Sequence, residues 1–299
     1  MATCTTTDGL TIGYETIGDR NAPAGPLLLV QGLGATRHNW RDEWCAALLA
    51  AGHFVIRFDN RDCGRSSHLE GVRVDLTAVM AAWNGVEGAV MPAVPYLLSD
   101  MAADAVAVLD HLGLERAHVV GASLGGMIAQ AIAIEHPDRV LTLTSIMSTT
   151  GDRATYQSDP AVRALLFAPQ PTEREALVRT RVETMRALGS PRHFDAVDAE
   201  RFFRWSLDND PPYPEGILRQ TAAIRASGAR DDALRRLDVP ALVIHGADDR
   251  LILPVAGAHT ADCLPGSRFL LVKDMGHDLP RPLWPILVDA IASHARHRI

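Results

Sequence analysis

The sequence predicts an α/β protein with a mostly parallel central sheet, helices on both faces of that sheet and a helical cap. Short runs that are apolar on both faces recur along the chain, and such runs are typical of buried parallel strands. Stretches with helical periodicity lie between these runs, which favours a parallel sheet covered on both sides. The alternation stops between residues 148 and 236, where helical stretches and frequent prolines replace it.

The individual strands and helices follow from local patterns. Residues 3–17 alternate around Asp8-Gly9, and this dipeptide between two β-prone runs predicts an antiparallel hairpin. Residues 99–112 predict a helix with Ser99 as its N-cap, and residues 124–135 predict a second helix. The apolar runs predict buried strands at 26–30, 53–58, 117–120, 140–146, 241–245 and 268–272.

Residues 148–236 are expected to form the cap, and residues 1–147 and 237–299 the core domain. Helical patterns cover 172–188 and 215–226, and no convincing buried strand is found between them. A segment inserted between two strands is expected to sit over one end of the sheet. Its apolar residues could line a pocket, although such residues more often form plain core. The candidates are Leu165, Leu166, Phe167, Phe202, Phe203 and Trp205.

Composition excludes several classes of function. Hydrophobic residues make up 47% and charged residues 22% of the chain, as in ordinary globular proteins. The net charge of −7 argues against a nucleic-acid partner, which needs a basic surface. No apolar run approaches the roughly 18 residues of a membrane helix, and the N-terminus does not resemble a signal peptide. Four cysteines without paired or metal-ligand spacing indicate a cytoplasmic protein with reduced thiols and no metal. The sequence is compatible with a monomer and with a homodimer.

The motif G-x-S-x-G at 121–125 points to nucleophilic catalysis by Ser123. A predicted strand precedes the motif and a predicted helix follows it, which is the context that this motif requires. The tight turn exposes the serine hydroxyl, and the flanking glycines avoid clashes across the turn. The alternative is a glycine-rich turn without chemistry.

A serine nucleophile needs a base and an acidic group that orients the base. In this strand–turn–helix context the residues follow the chain order serine, acid, histidine. His277 follows the last predicted strand and is the expected base. Asp248 and Asp249 both follow the strand at 241–245, and consecutive side chains in extended chain point in opposite directions. Only one of the two is therefore expected to face His277.

The loop after the first buried strand predicts an oxyanion hole. Residues 31–34 read Gln-Gly-Leu-Gly, and backbone amides in such a loop can stabilise the negative oxygen of a tetrahedral intermediate. The expected donors are the amides of Leu33 and Leu124, the latter following the nucleophile. A plain strand-to-helix turn is the alternative.

Residues 55–67, 102–110 and 116–125, together with Gly276-His277, carry a resemblance to a known family. They are similar to bacterial α/β-hydrolase esterases, especially those like aclacinomycin methylesterase, over roughly residues 5–147 and 237–297. The resemblance implies an α/β-hydrolase fold with a helical cap, and ester hydrolysis without a cofactor. Relatives show an Asp, one variable residue and then apolar residues leading to a Pro, which assigns the acid to Asp249. Many relatives have His where this chain has Gln31.

The expected function is therefore hydrolysis of a carboxylic ester of a small or medium apolar substrate through an acyl-enzyme intermediate. A serine nucleophile disfavours haloalkane dehalogenases and epoxide hydrolases, which use Asp. Other serine-triad chemistries stay open, namely C–C bond hydrolases, lactonases, perhydrolases and enzymes like proline iminopeptidase. The last would need acids such as Glu200 or Asp208 near a substrate amine. A ligand receptor that retains the triad is the alternative from another class of protein.

Overall fold

A computed structural model describes residues 1–166 and 168–296, and an eight-stranded sheet forms its centre. The order across the sheet is β1-β2-β4-β3-β5-β6-β7-β8. The strands are β1 (Ala2–Thr5), β2 (Thr11–Ile17), β3 (Pro26–Val30), β4 (Phe54–Phe58), β5 (Ala117–Ala122), β6 (Val140–Ile146), β7 (Ala241–Gly246) and β8 (Arg268–Val272).

Eleven α-helices occur in the described residues, and short 3₁₀ turns add to them. The helices are α1 (Asp42–Ala50), α2 (Leu76–Trp83), α3 (Leu98–His111), α4 (Leu124–Glu135), α5 (Pro160–Leu166), α6 (Arg174–Leu188), α7 (Ala196–Asn209), α8 (Pro214–Ala226), α9 (Asp231–Leu234), α10 (Pro254–Cys263) and α11 (Trp284–Arg296). The 3₁₀ turns are Arg37–Asn39, Pro137–Arg139 and Arg281–Leu283.

The sheet is antiparallel at one end and parallel elsewhere. The strands β1 and β2 form the predicted hairpin, in which Gly9 takes a φ of 84°, and β2 pairs antiparallel with β4. All other pairs are parallel. One apolar cluster joins the sheet to α3, α4 and α10, and a second joins it to α1 and α11. Helices therefore cover both faces, and the predicted fold class is confirmed.

The parallel register brings four loops to one edge of the sheet. The carboxyl end of β3 pairs with β5, that of β5 with β6, and that of β7 with β8. Strand β8 lies at the outer edge, where Phe269 and Leu271 are exposed, so the expectation that it is buried on both faces was wrong. The loops after β3, β5, β7 and β8 carry the predicted oxyanion hole, nucleophile, acid and base.

Residues 148–236, which we call the inserted segment, contain α5 to α9 and lie between β6 and β7 along the chain. No strand occurs among the described residues of this segment. Phe167 lies outside the described residues. The division into a core domain and a cap domain stays a prediction.

The start of α3 differs from the prediction. The helix begins at Leu98, so Ser99 lies inside it and is not the N-cap. The Leu97 amide donates to the Asp100 carboxylate at 2.7 Å, and the Leu98 amide donates to the hydroxyl of Ser227 at 2.9 Å. A residue far along the chain thus supplies part of the cap, which a local pattern does not reveal.

Candidate active site

Ser123 sits in a strained turn between β5 and α4. Its φ is +57°, a backbone conformation that residues other than glycine rarely adopt. A Cβ at Gly121 would lie 1.9 Å from the carbonyl oxygen of Gly125, and one at Gly125 would lie 2.1 Å from the carbonyl oxygen of Val30. Glycine alone fits these two positions, because both contacts are with backbone. The turn leaves the serine hydroxyl facing the edge where the four loops meet.

The structure brings Ser123, His277 and Asp249 into one chain of contacts. The Ser123 Oγ lies 2.9 Å from His277 Nε2, and His277 Nδ1 lies 2.7 Å from Asp249 Oδ2. The histidine tautomer that suits both contacts donates from Nδ1 to the carboxylate and accepts the serine proton at Nε2. Asp249 is 2% exposed, whereas the side chain of Asp248 is exposed at the surface.

The Asp249 carboxylate is held in its ionised form. Burial by itself raises the pKa of Asp249, but the charge of His277 and the hydrogen bonds from His245 and His277 outweigh it and lower the pKa to about 2. Its Oδ1 also accepts hydrogen bonds from the amides of Leu251 and Ile252, at 2.9 and 3.0 Å. His245 is fully buried and lies 3.4 Å from Asp249 Oδ2.

The predicted oxyanion loop lies directly against the serine. A Cβ at Gly32 would come within 3.3 Å of the Ser123 Cβ. Within the described chain, the amides of Leu33 and Leu124 donate no hydrogen bond, and both residues line the same cavity as Ser123. The Gly32 amide, by contrast, donates to the side-chain oxygen of Gln31 at 3.0 Å. The two unengaged amides are thus the predicted ones.

A buried glutamine of the inserted segment holds this loop, a role that no sequence pattern predicted. Gln220 on α8 accepts a hydrogen bond from the Gly34 amide at 3.0 Å and donates to the carbonyl of Arg61 at 2.8 Å. Its side chain is fully buried. Nothing in its local sequence marks it, because its contacts lie far away along the chain.

The loop that carries His277 is held in a similar way by the end of α6. The His277 amide donates to the carbonyl of Leu188 at 2.8 Å, and the Gly276 amide donates to Ser190 Oγ at 2.9 Å. The Ser190 hydroxyl in turn donates to the carboxyl group of Asp278. Burial raises the pKa of Asp278 above its ordinary value. The inserted segment is therefore bonded to the loops on both sides of Ser123.

A cavity of about 500 Å³ opens onto Ser123 and His277. Of the candidate residues, Leu166, Phe202 and Phe203 line the cavity, whereas Leu165 and Trp205 are exposed and lie outside it. Further apolar lining comes from Trp40, Trp44, Met127, Met147, Met185, Leu188, Phe194 and Ile224. Apolar side chains from the core and from the inserted segment thus enclose the space beside the serine.

The acids proposed for amine binding lie elsewhere. Glu200 pairs with Arg204, and Asp208 pairs with Arg174, in both cases between exposed side chains. Neither acid lines the cavity. These two acids therefore do not support an iminopeptidase. Asp195 and Asp198 of the inserted segment do line the cavity, and Asp198 is paired with Arg41 and Arg281.

The cysteines are all free and buried. Burial raises the pKa of Cys63 to about 12. Outside the cavity, Asp231, His259 and Cys263 bring potential metal ligands within 4.8 Å of one another. His259 and Cys263 both make direct hydrogen bonds to Asp231, so these groups satisfy one another. In the described part of the chain, no helix has the length and apolar character needed to cross a membrane.

Comparison with known proteins agrees with this architecture. A family model described as alpha/beta hydrolase fold matches residues 25–280. The chain is 34% identical to rhodomycin D methylesterase DnrP of Streptomyces peucetius, over 97% of each protein. It is 27% identical to the putative non-heme bromoperoxidase BpoC of Mycobacterium tuberculosis, over 87% of this chain and 89% of that protein.

Among solved structures, esterase RhEst1 from Rhodococcus sp. ECU1013 matches with a TM-score of 0.75 and 22% identity, over 100% of this chain and 99% of the esterase. A likeness at this identity supports the fold alone. The family model and the methylesterase identity confirm the resemblance that the sequence motifs indicated. The chain belongs to the α/β-hydrolase family.

Proposed function

We propose that this chain is a serine hydrolase that cleaves carboxylic esters through an acyl-enzyme intermediate. The observation that carries the proposal is the continuous line of contacts from Ser123 Oγ through His277 to the ionised Asp249. The similarity to a protein named rhodomycin D methylesterase supports an ester as the substrate.

The mechanism follows from the contacts. Ser123 Oγ attacks the ester carbonyl carbon while His277 Nε2 takes the hydroxyl proton. The Asp249 carboxylate holds the imidazole ring and stabilises its protonated form. The amides of Leu33 and Leu124 stabilise the oxyanion, and His277 then returns the proton to the leaving alcohol. Water activated by His277 hydrolyses the acyl-enzyme, so each step uses the chain and water alone.

The cavity supports a small or medium substrate with an apolar body. Its volume of about 500 Å³ lies within the usual range for small-molecule sites. Because residues 148–236 contribute much of the lining, we assign to this segment the role of a cap that selects substrates over a core of 1–147 and 237–299. The four free cysteines favour a reducing compartment, which supports a cytoplasmic setting.

Labelling and turnover together test the proposal. A fluorophosphonate probe should attach to the peptide that contains Ser123, and Ser123→Ala protein should remain unlabelled. A panel of p-nitrophenyl esters of rising chain length should be turned over many times by the intact protein. By analogy with serine-protease knockouts, Ser123→Ala should lower kcat by about 10⁶-fold. A label at another residue, or a single slow turnover typical of a receptor, would contradict the proposal.

A further inference from the structure

The cavity lining includes an arginine that packs against two aromatic rings. Arg225 on α8 lines the cavity, and its Cζ lies 4.4 Å from the ring centroid of Tyr156 and 4.9 Å from that of Trp83. Tyr156 also lines the cavity. The faces of these rings attract the positive charge of the guanidinium. They offer no acceptor for hydrogen bonds in the plane of that group.

The guanidinium of Arg225 has no acidic partner among the described residues. Its Nε is buried and has no acceptor there. The cavity's arginines at positions 41 and 281 differ, because both pair with Asp198, at 3.0 and 3.6 Å. Arg225 therefore places in the cavity a positive charge without a carboxylate partner, and an Nε–H donor without an acceptor among the described residues.

A buried donor without an acceptor is costly, and a guanidinium presents its N–H groups in a planar fork that matches a carboxylate. A carboxylate of the substrate would supply both the missing charge and the missing acceptors. Arg163 lines the same cavity, is exposed and makes no ion pair with any described residue, so it adds to the positive potential. Three acids of the described chain also line the cavity, but each is engaged: Asp198 pairs with Arg41 and Arg281, Asp278 accepts from Ser190, and Asp195 caps α7.

We propose that Arg225 forms a carboxylate-binding subsite, so that the preferred substrates are esters that carry a free carboxylate at the far end of an apolar body. Half-esters of dicarboxylic acids are the simplest members of this class. This proposal rests on the proposed ester hydrolysis, because it names the preferred substrates of that reaction. Binding at Arg225 can nevertheless be measured without turnover.

The test uses pairs of ligands that differ only in charge. Monomethyl esters of straight-chain dicarboxylic acids with five to eight carbons are compared with analogues whose free carboxylate is a primary amide. Binding to Ser123→Ala protein is measured by calorimetry, and hydrolysis is measured with Ser123 present. At the best chain length the anionic ester should bind about 10- to 100-fold more tightly than the amide.

Variants then locate the preference. Arg225→Gln should reduce the affinity for the anionic ester to that for the amide while leaving the affinity for the amide nearly unchanged, which also shows that the cavity is intact. Arg225→Lys should retain part of the preference, since the charge remains and the planar fork is lost. Arg153→Gln is the matched control, because Arg153 faces the same Trp83 ring at 5.7 Å but does not line the cavity.

The outcomes separate this proposal from the general one. Equal binding of anion and amide at every chain length overturns the carboxylate subsite. So does a preference that survives Arg225→Gln or disappears equally in Arg153→Gln. A charge preference in binding without hydrolysis of any ester by the intact protein contradicts the proposed function alone.

Discussion

At the scale of single residues, the sequence contained most of the candidate site. The motif at 121–125 and the order of serine, acid and histidine indicated residues that the structure brings within hydrogen-bond distance. The choice between two adjacent aspartates needed the family pattern, and the geometry agrees with it. The residues Ser190, Gln220 and Arg225 were not predicted, because each meets the site through tertiary packing of the inserted segment.

The two aspartates give a residue-scale prediction. Asp249→Asn should lower kcat by about 10⁴-fold, as for the corresponding change in a serine protease, because the histidine loses its orientation and tautomer. Asp248→Asn should cost far less, since that side chain is exposed and makes no hydrogen bond or ion pair with any described residue. Its backbone amide donates to the carbonyl of Met275, and the substitution leaves that bond in place. Both variants are assayed side by side after circular dichroism shows that they fold. If the Asp248 variant were the inactive one, the acid would be misassigned by one residue.

At the scale of elements, strands were easier to predict than helix ends. The runs at 140–146 and 268–272 matched β6 and β8 to the residue, since apolar runs bounded by turns are local signals. The start of α3 was misplaced because Ser227, from the end of the inserted segment, caps it. The turn between β5 and α4 was recognisable from its glycines, whose role the structure now explains by contact with the backbone.

Replacement of Gly125 tests that explanation. Gly125→Ala would place a methyl group 2.1 Å from the carbonyl oxygen of Val30, and neither backbone can move freely, so we expect unfolding free energy to fall by at least about 3 kcal/mol. The control is Gly266→Ala. Gly266 has a φ of +65° and no neighbour within 4 Å, so backbone strain alone should cost about 1 kcal/mol.

Urea unfolding of the two glycine variants and the wild type gives the comparison. If Gly125→Ala were as stable as Gly266→Ala, the close contact between the turn and β3 would not exist in solution.

At the scale of the whole molecule, the alternation of strands and helices was enough to predict the architecture. It could not predict how the inserted segment packs, because that depends on contacts between residues more than 100 positions apart, such as Gly34 and Gln220. It also could not predict the electrostatics of the core. His53 and His118 are buried side by side, with ring centroids 5.7 Å apart.

This buried pair makes overall stability depend on pH. Burial, and then the neighbouring charge of His53, lowers the pKa of His118 from 6.5 to about 4. Between these values the unfolded chain binds a proton at this position and the folded chain does not, so stability is present above pH 6.5 and falls as pH decreases. His118 alone should remove about 2 kcal/mol between pH 7.5 and 5.0.

The measurement compares wild type with His118→Asn, whose side chain can still bond to Thr142 as His118 Nδ1 does at 2.9 Å. Urea midpoints are recorded at pH 7.5 and 5.0. The variant should be less stable at pH 7.5, because packing is lost, but its stability should change less with pH. Parallel pH profiles for the two proteins would show that His118 does not stay neutral in the folded state.

The bond from the His277 amide to the carbonyl of Leu188 has a consequence for access to the site. If the inserted segment swung away as one body to admit a substrate, this bond would break and the imidazole would lose its alignment with Ser123. In a single conformational equilibrium, the state that is open at the end of α6 would therefore lack an aligned base. A ligand that held the end of α6 away from the His277 loop would act as a noncompetitive inhibitor. It would lower kcat without occupying the space beside the serine.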